Sequence, residues 1–316
     1  MMDLEKAKEL IADAEDGART VPFNFGALPE ELANYDGARV VILPVPYDLT
    51  ATYLAGSRAG PRAIIEASRN MELYDDELCD IPARFGIHTF MELEADASGP
   101  ERMTAGVEGV VSSLLDAGKI VAALGGEHTI TCGVVKAYTR FFSDLAVLHL
   151  DAHADLRDSY QGSRYSHACT MRRVRELVGK VSHVGIRSFS AGEADHINRE
   201  KIKIHPRSGW KGSPEQVEQV LSELGGGPVY VTCDLDVFDP AYVPSTGTPE
   251  PGGLGWSEVI ALLRSVGEAR QIVGFDVVEL APTSGNVAPD FLAARLVYKL
   301  VGFACFSEKS RGGSPL

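Results

Sequence analysis

The chain has 316 residues, a formal net charge of −14, 45% hydrophobic residues and 23% charged residues. That balance describes a folded globule long enough for one large core, not a disordered chain. Its acidity speaks against nucleic acid or an anionic membrane as a partner and suits a small cation. No apolar run reaches the length of a bilayer span. The acidic start MMDLEKAKELIADAEDG lacks the basic and apolar regions of a secretory signal, so a cytoplasmic protein is expected. Cys79, Cys132, Cys169, Cys233 and Cys305 are odd in number and form no CxxC pair, which reads as reduced thiols.

In chain order, residues 1–36 are expected to form a peripheral arm and residues 37–316 a single catalytic domain. Short, β-branched, nearly apolar runs predict strands at ARVVILPV (38–45), KIVAAL (119–124), LAVLHL (145–150), KVSHVGI (180–186), PVYVTC (228–233) and QIVGFDV (271–277). Helical patterns lie between and after them at 60–73, 104–118, 129–142, 166–179, 213–225, 256–269 and 288–305, the first with Pro61 in its opening turn. Strands alternating with helices predict an α/β fold, a three-layer α/β/α sandwich around a central parallel sheet. In such sheets the loops after the strands build the site.

Three of those loops carry chemistry. After KIVAAL comes GGEHTIT, where Gly125 and Gly126 allow a tight turn and His128 stands at the corner. After LAVLHL comes DAHADLRDS. Asp151, His153 and Asp155 alternate with alanines, so an extended chain points all three to one side. After PVYVTC comes DLDVFDP, with Asp234 and Asp236 alternating again. Buried carboxylates in such numbers are costly unless cations neutralise them. Two histidines and four carboxylates exceed the needs of one ion with an open position and suit two ions sharing carboxylates. The oxygen-rich, thiol-free set favours two Mn²⁺ ions over a structural zinc. His149 and His183 read as core residues or as partners of ligands, and His88, His196 and His205 have no ligand-like company.

The segments GGEHT, DAHAD and DLDVFDPAYVPSTGTPEPGGL, with the earlier PVPYDLTATYLAGSRAGPRAIIEAS, resemble the arginase/agmatinase (ureohydrolase) family from about residue 38 to about 305. The resemblance implies that His128, Asp151, His153, Asp155, Asp234 and Asp236 hold a manganese pair, with Asp151 and Asp234 shared between the ions. It implies that a hydroxide bridging the ions cuts urea from a guanidino substrate. Glu279 in VVELAP matches the glutamate that holds the guanidinium, as a carboxylate can by two parallel N–H bonds. His167 in YSHACTMRR matches a histidine that, with Asp155, moves protons to the leaving amine. Thr248 in TGTP is placed beside the guanidinium. Leu156 and Arg157 follow Asp155 where an arginase pattern carries asparagine, which favours agmatine, giving putrescine, over arginine. N1-aminopropylagmatine, guanidinobutyrate and arginine are the rivals within the class. A carboxylate-bearing substrate would call for a cation such as Arg157 or Arg164, and an ammonium tail for Asp158 or Glu193. A one-zinc polyamine deacetylase should lack the Gly-Gly-Glu-His corner, and a silent metal-binding protein could dispense with Glu279 and His167. A homo-oligomer, trimer or hexamer, is expected from the resemblance alone.

Overall fold

The structure, a computed structural model, describes residues 1–15 and 21–310. Among the described residues, eight strands form one sheet. They are β1 (Val40–Val45), β2 (Ile87–Thr89), β3 (Ile120–Gly125), β4 (Ala146–Leu150), β5 (Lys180–Val184), β6 (Ile204–His205), β7 (Val229–Asp234) and β8 (Ile272–Val278). Their order is β2-β1-β3-β8-β7-β4-β5-β6, and every pairing is parallel. The helices are α1 (Leu4–Glu15), α2 (Glu30–Ala33), α3 (Gly60–Ser68), α4 (Pro100–Asp116), α5 (Ile130–Tyr138), α6 (Thr170–Leu177), α7 (Ala191–Glu200), α8 (Pro214–Leu224), α9 (Trp256–Ala269) and α10 (Ala288–Ser310).

Alternate residues of each strand feed opposite faces, as the pleat requires. Val40 and Ile42 of β1 join a core with Ile64 of α3, Val220 of α8, Val259 of α9 and Val297 of α10. Val41, Leu43 and Val45 join the other core, with Val107 of α4, Val134 of α5, Met171 of α6 and Ile197 of α7. The sheet is therefore covered on both sides, which is why its strands are apolar on both faces. This is the expected three-layer sandwich.

The six strands expected from the sequence are present, and two edge strands join them. Strands β2 and β6 have only three and two residues, too short to show a period. Helix α7 also went unread, although Ser190 and Glu193 form a capping box at its start. The 166–179 segment divides into a single 3₁₀ turn, His167–Cys169, followed by α6. Within it Arg173 is buried and pairs with Asp158 and Glu176. The N-terminal arm sends Phe25, Leu28 and Leu32 into the first core.

Chain direction across the sheet reverses between β3 and β4, and β7 and β8 fill the gap. The carboxyl ends of β3, β8, β7 and β4 are thus four neighbours at the switch point, the place where ligands bind in open α/β sheets.

Candidate metal centre

Gly126 follows β3 and lies against the backbone of Tyr47, whose carbonyl oxygen a Cβ would overlap. That close approach swings the chain across the sheet end and buries His128. The His128 ring is held from behind. Its Nε2 lies 2.8 Å from Thr232 Oγ1, and the Thr232 hydroxyl donates to Asp276 Oδ1 at 2.6 Å. Asp276 Oδ2 accepts from Tyr230 and Thr131 at 2.7 and 2.9 Å. With its one proton committed to Asp276, the Thr232 hydroxyl accepts from Nε2–H. The neutral ring therefore presents the Nδ1 lone pair forward. That nitrogen is buried and, among the described residues, has no hydrogen-bond partner. Yet Asp151 Oδ2 and Asp155 Oδ2 stand 3.2 Å away and Asp234 Oδ2 stands 3.5 Å away. A lone pair facing three carboxylate oxygens is repulsive unless a proton or a metal cation sits among them.

A second group adjoins it. His153 Nδ1 lies 2.8 Å from Asp236 Oδ2 and 3.6 Å from Asp151 Oδ1. Ligand-type atoms of Asp151, His153 and Asp236 all lie within 4.8 Å of one another. Asp151 thus turns one oxygen to each group. Backbone amides set the carboxylates: Ala152 N donates to Asp236 Oδ1, Asp236 N to Asp234 Oδ1 and His153 N to Asp151 Oδ1. The six residues singled out from three sequence segments do converge.

The titration of the cluster shows the same crowding. Burial, then Asp236, Asp151 and Glu279, push the Asp234 carboxyl well above its ordinary range. Asp236 is raised by burial too, against the pull of His153. Burial lowers His128 and His153, but the carboxylates beside each outweigh it and raise both. Absent a metal, protons have to take the place of cations. The donor set therefore fits divalent metal ions.

His149 also falls near this centre. Its Nε2 bonds Asp151 Oδ2 at 2.8 Å and its Nδ1 bonds His183 Nδ1 at 2.9 Å. With both nitrogens engaged, it orients Asp151 from beneath.

A cavity of about 290 Å³ opens over the cluster, lined among others by His153, Asp155, His167, Thr248 and Glu279. Glu279 Oε1 accepts the His128 amide at 2.7 Å. Burial, with Glu127 nearby, pushes the Glu279 carboxyl up to about 8. Glu279 and Asp155 both hold left-handed backbone, at φ 68° and 51°, a conformation costly for non-glycine residues and concentrated at functional sites. The His167 amide donates to Thr50 Oγ1 at 3.0 Å; its ring Nδ1 lies 3.1 Å from the same oxygen, and its Nε2 lies 3.4 Å from Thr52 Oγ1. Burial lowers the His167 pKa, with Asp155 opposing.

Of the residues weighed for the substrate tail, Glu193 and Arg157 line the cavity, whereas Asp158 and Arg164 pair with each other outside it. Glu193 is occupied, accepting from Leu156 N, Ser190 N and Ser190 Oγ. Sequence reasoning passed over Thr50, Thr52, Glu127, Thr232 and Asp276. Thr50, Thr52 and Glu127 lie inside segments that carry the resemblance, and Thr232 and Asp276 inside expected strands, but none has a signal of its own.

Among the described residues, no helix is long and apolar enough to cross a membrane. The sequence profile of the Arginase family matches residues 38–302. An N(1)-aminopropylagmatine ureohydrolase of Synechocystis sp. is 38% identical over 89% of this chain and 94% of its own. An agmatinase of Bacillus anthracis is 37% identical over 79% of this chain and 86% of its own. The crystal structure of the agmatine ureohydrolase of Thermoplasma volcanium superposes with a TM-score of 0.82 at 30% identity, covering 96% of this chain and all of that one. A family match over most of the length, the shared fold and a crowded His/Asp centre at the switch point agree, and the chain belongs to the arginase family, as a ureohydrolase that cleaves amidino groups.

Proposed function

We propose that the chain hydrolyses a guanidinoalkylamine to urea and the free amine, with agmatine, giving putrescine, as first substrate. The observation that carries this reading is the buried, partnerless His128 Nδ1 among three carboxylate oxygens, beside a cavity that exposes Glu279. His128, Asp151, His153, Asp155, Asp234 and Asp236 would hold the Mn²⁺ pair. Such a pair of ions, when bound, makes water nucleophilic at neutral pH.

The chain's own groups do the rest. Glu279 holds the His128 amide with Oε1, which leaves Oε2 for the guanidinium N–H groups. A cationic guanidinium favours the ionised carboxylate that burial disfavours, so binding and ionisation reinforce each other. Thr248 lines the same wall and offers a hydroxyl. Water oxygen bonds to the guanidinium carbon, the carbon–nitrogen bond to the alkyl amine breaks, and the water proton passes through Asp155 or His167 to the departing nitrogen. His167, kept neutral by burial, is able to accept and return that proton.

A second reading, N1-aminopropylagmatine as substrate, is favoured by the relatives of that name in Synechocystis and Thermus thermophilus, at 38% and 39% identity. Urea release measured in parallel on agmatine, N1-aminopropylagmatine, guanidinobutyrate and arginine decides between them. Agmatine is expected to show the highest kcat/KM; preference for a carboxylate-bearing substrate would overturn the guanidinoalkylamine class itself. A cytoplasmic homo-oligomer, trimeric or hexameric, completes the reading by resemblance.

The support behind His128 makes its own prediction. Asp276→Asn leaves the first ring of groups intact but loosens the Thr232 hydroxyl that fixes the His128 tautomer. Metal affinity is expected to fall by about 10- to 100-fold, the usual loss for a partner that orients a ligand. Competition against a chelator measures it, and unchanged affinity would remove Asp276 from the metal site.

A further inference from the structure

We propose that Glu127 and Thr50 are positioning residues that set the tautomer of the His167 ring; this rests on the reading of His167 as a proton carrier. Glu127 is fully buried, far in sequence from both partners. Its two oxygens clamp one residue: Oε2 accepts Thr50 N and Oε1 accepts Thr50 Oγ1, each at 2.7 Å. The Glu127 backbone adds a bond to Tyr47 O in the same loop. Thr50 Oγ1 then meets His167 twice, at the backbone amide and at Nδ1.

The direction of these bonds follows from counting protons. A hydroxyl has one hydrogen, and with Glu127 ionised the Thr50 hydroxyl gives it to that carboxylate. Its oxygen can then only accept from His167, so Nδ1 carries the ring proton. The lone pair is left on Nε2. The arrangement repeats the logic of a carboxylate that fixes a catalytic imidazole, with a threonine hydroxyl interposed. The Thr50 hydroxyl bonds Glu127 and His167, whereas the Glu127 charge also bears on Glu279, so Thr50 is the position at which an influence running through His167 is read.

The bland alternative is that the clamp only holds the loop carrying Ala51 to Leu54 against the cavity. A mutant cycle separates the two. Thr50→Val, Thr50→Ser, His167→Ala and the Thr50→Val/His167→Ala double variant are loaded with Mn²⁺ and assayed for kcat, KM and bound metal. Thr50→Val is expected to lower kcat by about 10- to 100-fold, part of what a general acid–base group contributes, with KM and metal content held. Thr50→Ser restores most of the rate. In the His167→Ala background, Thr50→Val has no further effect, because what it acts through is gone. Full kcat in Thr50→Val, a loss confined to KM or metal, or losses that multiply in the double variant would each overturn the proposal. If Thr50→Val does not fold, Thr50→Ala takes its place in the same cycle with the same expected outcomes. Full activity in His167→Ala alone would instead sink the underlying reading of that histidine, and the proposal with it.

Discussion

Asp234→Asn is expected to strip the protein of one or both metal ions and of urea release, while the melting temperature of the metal-free chain holds or rises. The two halves of this result have one cause. Asp234 is buried, and Asp236, Asp151 and Glu279 raise its pKa further. Asp234 Oδ2 also faces His128 Nδ1 at 3.5 Å. In the metal-free protein its carboxyl is therefore a burden, held neutral at the expense of a proton or charged among like charges. Asparagine keeps the shape and an oxygen able to accept the Asp236 amide, but it removes the charge. The same loss is ruinous for a metal site, where the carboxylate negative charge is the attraction. Affinity should fall by more than the about 10- to 100-fold that follows from disturbing an orienting partner alone. Metal analysis after dialysis, thermal melts with and without Mn²⁺, and a urea assay read the three quantities. A variant that keeps two ions would remove Asp234 from the ligand set. A metal-free variant that melts well below the parent would show that Asp234 stabilises the fold in its own right.

This ambivalence also explains what the sequence could and could not reveal. Asp151, His153, Asp155, Asp234 and Asp236 are legible because strand periodicity alone puts alternating residues on one side, immediately after runs too apolar to end at a surface by chance. His128 is legible once the glycines before it require a close turn. Fold class is legible for a related reason: six two-sided apolar strands need helices on both faces. Strands β2 and β6 are not, since three or two residues at a sheet edge carry no period. The supports of the site are hidden more deeply. Asp276 lies inside β8 and looks like an interruption of an apolar run, and its meaning depends on Thr232 of neighbouring β7 and Thr131 of α5. Thr50 reaches Glu127 across 77 residues and His167 across 117. Nothing local in PYDLT announces either contact. The left-handed backbone of Glu279 is likewise a product of tertiary packing, because glutamate does not favour it.

Glu279→Gln should separate substrate binding from metal binding. Glutamine retains an oxygen for the His128 amide, so the turn after β3 and the ion cluster are expected to stay intact. What disappears is the negative charge opposite the guanidinium, and the new amide group turns donors toward a cation that has only donors to offer. Removing one partner of a desolvated charge pair costs about 3–5 kcal/mol, or about 10²- to 10³-fold or more in kcat/KM. The pH dependence of stability offers an independent check on the metal-free protein. The Glu279 carboxyl titrates at about 8 in the fold against an ordinary 4.5. Between those values the unfolded chain has lost a proton that the folded chain keeps, so stability falls as pH rises through the window and the full loss is present above about 8. Glutamine has no such proton to lose. The variant should therefore gain stability on the parent progressively from about pH 5 to about pH 8, measured as the difference between their melting temperatures across that range. Equal pH profiles would mean that Glu279 is not the buried acid the structure describes. Loss of metal in the variant would mean that it supports the ions and not the guanidinium, and the catalytic scheme would have to give that carboxylate a different task.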